Sequence, residues 1–201
     1  MTMRVAVAVS GRGSNLQALL RALGPGAPAR VVLVLSDRPE AGALEHARSH
    51  GVPAEVLSQP SDAAEWLARL ERHRTELVVL AGYLKLVPAP VVARFRDRIL
   101  NIHPALLPAF GGKGMYGHRV HEAVLASGAR ESGATVHLVD EAYDRGAVLG
   151  QARVPVLPGD TADTLAARVL EVEHRLLPAA VLAAAAAGHP VPIPEPMESV
   201  P

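Results

Sequence analysis

The stretch ILNIHP at residues 99–104 carries two polar side chains, Asn101 and His103, two positions apart. On an extended backbone that spacing sets both on one face. An imidazole gives or takes a proton near neutral pH, and an amide N–H stabilises a developing oxyanion. Together they suit a reaction that needs both, although a lone strand-end histidine is ordinarily just a hydrogen-bonded residue. Asp144, in the segment DEAYDRGA, stands 41 residues beyond His103. A carboxylate beside an imidazole raises its pKa and fixes its tautomer. Elsewhere the same residue would only stabilise a glycine-containing turn. Spacing alone does not bring Asp144 to His103; the fold must.

A second constellation opens the chain, where residues 10–15 read SGRGSN between an apolar run and a helical pattern. Gly11 and Gly13 admit positive φ and a close ligand, and Ser14 or Asn15 can cap the helix. Backbone N–H groups at such a turn attract an anion and suit a phosphate. The spacing is neither the dinucleotide G-x-G-x-x-G nor the lysine-bearing phosphate loop, and a plain tight turn would use the same residues. Other candidates are weaker. His118 and His121 could share a metal, but no third ligand accompanies them. No serine lies in a G-x-S-x-G elbow. Glu171 and Glu173 read as a solvated helix face, and no metal site is expected.

These residues need a scaffold. Apolar runs at 4–9, 30–36, 54–57, 77–81, 98–102, 134–139 and 147–156 predict strands. Helical patterns at 15–23, 41–49, 62–74, 119–126 and 161–187 alternate with them, with Ser61 the expected N-cap of the third. Continuous apolar runs separated by helices mark parallel strands buried on both faces. The expected fold class is α/β, a single domain with an open, mostly parallel twisted sheet flanked by helices. Pro and Gly crowd residues 103–118 into a long irregular loop, the kind of segment that tends to carry function. Residues 188–201 form a Pro-rich C-terminal tail, expected to be disordered or draped over the surface.

Composition narrows the classes further. The 201 residues are 49% hydrophobic, 20% charged and 3% aromatic, so one core must be built mainly from Ala, Val and Leu. Twenty basic residues balance twenty acidic ones, which gives no general attraction to nucleic acid or anionic membranes. The absence of cysteine excludes disulfides, thiolate metal sites and a Cys nucleophile together. No apolar run reaches the length of a membrane span, and a cytoplasmic protein is expected.

Four segments taken together, SGRGSNLQALL, VVLAGYLKLV at 78–87, ILNIHPALLPAF at 99–110 and the DEAYDRGA loop, carry a family resemblance. They resemble the 10-formyltetrahydrofolate-dependent formyltransferases, and within them the glycinamide ribonucleotide formyltransferases. The likeness covers nearly the whole chain and implies a Rossmann-like formyltransferase domain over 1–187. Carried over residue by residue, it makes Asn101, His103 and Asp144 catalytic. Gly13, Ser14, Asn15 and Glu173 would bind the ribonucleotide. Leu84, Lys85, Leu86 and Val87 would hold the folate, together with Asn101, Asp140, Glu141, Ala142, Tyr143 and Asp144. Thr135 would support the site, and Pro108 marks the place of the family's cis peptide bond. The chain departs from the family pattern at Ala63 and Ala64, where some members carry an arginine. It departs again in the longer loop GGKGMYGH at 111–118, and at Arg145 and Ala147.

The activity implied is formyl transfer from 10-formyltetrahydrofolate to the amine of glycinamide ribonucleotide, the third step of de novo purine biosynthesis. Asn101 and a protonated His103 would stabilise the tetrahedral oxyanion, with Asp144 assisting proton relay. The implied partners are those two small molecules, without metal, nucleic acid or membrane, in a monomer or homodimer. The alternative is a formyltetrahydrofolate deformylase, which uses the same trio with water as acceptor and normally carries an extra N-terminal domain. A methionyl-tRNA formyltransferase would need a C-terminal RNA-binding domain. A non-catalytic phosphosugar-binding module would use the first loop alone.

Overall fold

Strands covered by helices on both faces must be apolar at every position, which is how the Val-, Ile- and Leu-rich runs of this chain are used. The computed structural model describes residues 2–194. In its first half, β1 (Met3–Val9), α1 (Ser14–Ala22), β2 (Ala29–Ser36), α2 (Gly42–Ser49), β3 (Ala54–Val56), α3 (Ala63–Arg72) and β4 (Leu77–Leu80) alternate. Then come α4 (Ala89–Arg94), β5 (Ile99–His103), α5 (His118–Ala126), β6 (Glu131–Leu138), β7 (Val148–Pro155) and α6 (Ala162–Ala187). The seven strands form one sheet in the order β3-β2-β1-β4-β5-β6-β7. Pairing is parallel from β3 to β5 and antiparallel through β6 and β7.

Alternation along β1 builds two cores at once. Val5, Val7 and Val9 join Leu16, Leu19 and the buried stripe of α6, including Val169, Leu176 and Val181. Ala6 and Ala8 face the opposite layer, where Trp66, Leu70, Val91 and Phe95 gather. Helix α6 starts at Thr161 with a capping box to Thr164 and packs on α1, β6 and β7. No helix among the described residues is long and apolar enough to cross a membrane.

The predicted α/β architecture is the one observed, with local shifts. The N-cap of α3 is Asp62 rather than Ser61, its carboxylate accepting the Ala64 N–H at 2.9 Å. The sequence reading has no element between Gly82 and Arg98, yet α4 forms there. Its proline lies in the first turn, where a missing N–H costs nothing. Strand β6 begins at Glu131 because it pairs along the full length of β7. The described part of the tail returns to the sheet, the Ile193 N–H donating to the Leu149 carbonyl at 2.7 Å. The rest of the predicted tail, residues 195–201, lies outside the described residues.

Candidate active site

In open α/β sheets ligands bind beyond the carboxyl ends of parallel strands, where the strand order reverses. Here that reversal lies between β1 and β4, and a cavity of about 860 Å³ opens there. The loops leaving β1, β4 and β5 line it, together with the 112–118 loop, the turn after β6 and one face of α6.

After β1, the turn into α1 is held by backbone. The Ser10 N–H donates to the Gly82 carbonyl, and the Ser10 hydroxyl accepts the Leu84 N–H at 3.0 Å. Gly13 is the N-cap in a left-handed conformation, φ 86°, and a Cβ there would lie 2.5 Å from the Ala43 Cβ. Only glycine lets α2 approach so closely. The expected capping by Ser14 or Asn15 does not occur, because no side chain bonds the first turn of α1. Asn15 instead reaches across to α6, its amide donating to Glu173 Oε2 at 2.5 Å. Both side chains are buried, so the reading of Glu173 as part of a solvated face is corrected; it holds for the exposed Glu171. Burial raises the Glu173 pKa to about 7, against the Asn15 hydrogen bond, which lowers it.

On β5, Asn101 and His103 share the cavity face, as their spacing predicts. The His103 Nε2 meets the Phe110 carbonyl at 2.9 Å, and its Nδ1 stands 3.6 Å from Asp144 Oδ2. The fold thus brings Asp144 to His103. Asp144 Oδ2 also accepts the Gly112 N–H at 2.9 Å, which ties the irregular loop to the same carboxylate. Burial raises the Asp144 pKa, but the His137 and His103 rings, when they turn an N–H or a positive charge toward it, and the Gly112 N–H outweigh burial and lower it. The expectation of a protonated His103 is corrected. Burial of the ring is the largest influence and lowers its pKa, ahead of Asp144 and the Phe110 carbonyl, which raise it.

Of the predicted folate-binding residues, Leu84, Lys85, Leu86, Val87, Asp140, Ala142 and Tyr143 line the cavity with Asn101, His103 and Asp144. Glu141 does not, and neither do Thr135 and Pro108. Thr135 works from behind: its hydroxyl donates to the Ala105 carbonyl at 2.6 Å and accepts the Leu107 N–H at 3.0 Å. It thereby fixes the backbone just before the Leu107–Pro108 peptide, which is cis. His118 pairs with Asp163 at 3.2 Å, and no group of three or more potential ligands for a metal occurs among the described residues.

Two histidines of the cavity have a place the sequence did not indicate. His121 was weighed only as a metal ligand, yet it is buried in the cavity wall with Nδ1 unpartnered, and burial lowers its pKa to about 4. His137 lies directly across from Asn101 in the β5–β6 register, as Thr135 does from His103. Its Nε2 is 3.0 Å from the Asn101 amide nitrogen and 3.5 Å from Asp144 Oδ1. The signal was present: T-V-H at 135–137 repeats the two-residue spacing of N-I-H at 101–103.

An open sheet whose carboxyl edge gathers an amide, an imidazole and a carboxylate beside a glycine-rich helix start defines a class, and the comparisons name it. The sequence pattern of the family described as Formyl transferase matches residues 3–181, and the chain belongs to that family. Its relatives carry a more particular name. The phosphoribosylglycinamide formyltransferase of Mycobacterium tuberculosis is 45% identical over 192 residues, covering 92% of this chain and 86% of that protein. The chloroplastic phosphoribosylglycinamide formyltransferase of Arabidopsis thaliana is 48% identical over 181 residues, covering 86% of this chain. The chain spans 62% of that plant relative's length and 58% of the one from Vigna unguiculata. Among solved structures, the phosphoribosylglycinamide formyltransferase of Brucella melitensis superposes with a TM-score of 0.84 at 46% identity. That match covers 92% of this chain and 97% of that one.

Proposed function

We propose that this chain transfers a formyl group from 10-formyltetrahydrofolate to the amine of glycinamide ribonucleotide. The observation that carries the reading is convergence. Asn101, His103 and Asp144 meet in one cavity that also holds the glycine-rich start of α1 and the Asn15–Glu173 pair. The uncapped N–H groups of α1 suit the ribonucleotide phosphate, and the buried Asn15–Glu173 pair suits the sugar or glycinamide portion. The aliphatic wall of Leu84, Leu86 and Val87 suits the pterin, closed by the turn at 140–144. The names of the relatives favour transfer over the hydrolytic alternative.

Chemistry follows from the hydrogen bonds. The Phe110 carbonyl only accepts, so a neutral His103 keeps its hydrogen on Nε2 and turns the Nδ1 lone pair toward Asp144. As the substrate amine adds to the formyl carbon, Nδ1 takes the proton the amine sheds. The new imidazolium is held by ionised Asp144, and with an Asn101 N–H it stabilises the oxyanion. The same proton then passes, through Asp144 or a water on it, to the leaving nitrogen. No net proton is gained or lost. The same reading has the enzyme in the cytoplasm as a monomer or homodimer, free of nucleic acid and membrane.

Incubating the protein with 10-formyltetrahydrofolate, with and without glycinamide ribonucleotide, and following folate absorbance tests the assignment. Turnover that needs the ribonucleotide is the expected result. Turnover without it would make the protein a deformylase, and none at all would leave a binding module.

A further inference from the structure

We propose that His137 is a positioning residue for formyl transfer: its Nε2 pins the Asn101 amide so that an N–H, and not the carbonyl oxygen, faces the reacting centre. The inference rests on the formyl-transfer reading of the site and adds a residue to it.

For a neutral His137 ring the hydrogen bonds allow one arrangement. His137 Nδ1 is 2.8 Å from the Leu138 carbonyl, which can only accept, so Nδ1 carries a hydrogen. Its Nε2 is 3.0 Å from the Asn101 side-chain nitrogen, which can only donate, so Nε2 presents a lone pair. One hydrogen of the Asn101 amide is thereby committed to His137. The other lies on the Asp144 side, 3.5 Å from Oδ1, a contact long enough to be exchanged for a better acceptor. An oxyanion forming between Asn101 and the His103–Asp144 pair is that acceptor.

Without the imidazole nothing fixes the amide. A side-chain amide can present either end, and a half-turn would put its carbonyl oxygen against the developing negative charge. The His137 ring is itself rigidly placed. It is buried, and the β5–β6 register sets it directly opposite Asn101. A wrongly turned Asn101 would cost the transition state more than the bound substrates, because the oxyanion that needs its N–H forms only there. The penalty belongs in kcat.

Two variants and one spectrum test this. His137→Phe keeps volume but offers no lone pair, and should lower kcat about 10- to 100-fold, short of losing an oxyanion donor outright. KM for both substrates should stay within about threefold of wild type. His137→Gln places a carbonyl acceptor near the same position and should restore most of the lost kcat. Adding His137→Phe to Asn101→Ala should cost nothing more, because the ring acts through the amide. A kcat near wild type in folded His137→Phe overturns the proposal, as do losses that multiply with Asn101→Ala, or a Gln variant as slow as the Phe one. Long-range ¹H–¹⁵N spectra of the ligand-free protein decide the point without turnover. The expected His137 carries its hydrogen on Nδ1, and its Nε2 resonance moves in Asn101→Ala. A ring protonated on Nε2 would reverse the amide and overturn the proposal, whereas a wild-type protein with this spectrum and no formyl transfer would count against the function alone.

Discussion

Asp144 holds His103, the 112–118 loop and the Asn101–His137 pair at once, so its charge should matter more than its shape. In Asp144→Asn the His103 pKa should fall further, because the carboxylate is the largest influence holding it up. Turnover should drop by about 10²–10⁴-fold, the range expected when acid–base assistance is lost. Ribonucleotide affinity should change little, since the α1 start lies on a separate loop. Steady-state kinetics normalised to folded protein, with calorimetry of ribonucleotide binding, gives both numbers, and near-wild-type turnover would sink the proposed mechanism. Glu173 gives a different signature. Its buried carboxyl titrates near 7 against an ordinary 4.5, so in the folded state it holds its proton longer than in the unfolded chain. The resulting stability is fully present below about pH 4.5 and is lost as pH rises through about 7, on the order of 3 kcal/mol in all. Glu173→Gln can still accept the Asn15 N–H but cannot ionise. Its denaturant midpoint should therefore be flatter than wild type between pH 5 and 7, and a wild-type slope in the variant would refute the account.

At the scale of elements, the irregular loop after β5 serves as the clasp between His103 and Asp144. Phe110 gives its carbonyl to His103 and Gly112 its N–H to Asp144, so the intervening Gly111 sets how close those groups come. A Cβ on Gly111 would stand 2.5 Å from the end of the Leu107 side chain and 3.2 Å from the Asp144 Cβ. Leu107 can rotate aside, but Asp144 must move by a few tenths of an ångström. Displacement of a catalytic group by about 1 Å costs about 10²-fold, so Gly111→Ala should lose about tenfold in kcat. Thermal stability should stay close to wild type, because the backbone at 111 is unstrained and no core atom is removed. The pair of kcat and Tm separates this from simple unfolding: an unchanged kcat would show that the loop does not set the geometry. The sequence marks this loop by its Pro and Gly content but not by its partners. Composition says that residues 103–118 are irregular, while the contact from 112 to 144 depends on tertiary closure.

Over the whole molecule, what was legible is what repeats. Apolar runs spaced by helical patterns state an α/β sheet, because each strand must be covered on both faces, and the two-residue spacing of Asn101 and His103 states a shared face. What was not legible depends on partners far apart in the chain. Burial of Glu173 follows from α6 crossing α1, the role of His137 from an antiparallel register, and the lowered His103 pKa from depth within the fold. The C-terminal segment is a further case, since a Pro-rich composition reads equally as disordered or as draped over the surface and names no partner. β7 is an edge strand, and edge strands need blunting against association. The Ile193 N–H takes the Leu149 carbonyl on that edge, and its side chain occupies the space that a Cβ on Gly150 would fill, at 2.5 Å. Ile193 is half-buried, so Ile193→Ala should cost about 1 kcal/mol, a fraction of full side-chain burial. Gly150→Ala should displace the same segment from the other side, and the two changes should be less than additive, because each removes one contact. Neither residue lines the cavity, so kcat and both KM values should stay at wild-type levels. Light scattering at high concentration should show more self-association in both variants, the uncovered edge being free to pair. Additive stability losses, or variants that stay as dispersed as wild type, would mean that the segment lies on β7 without protecting it.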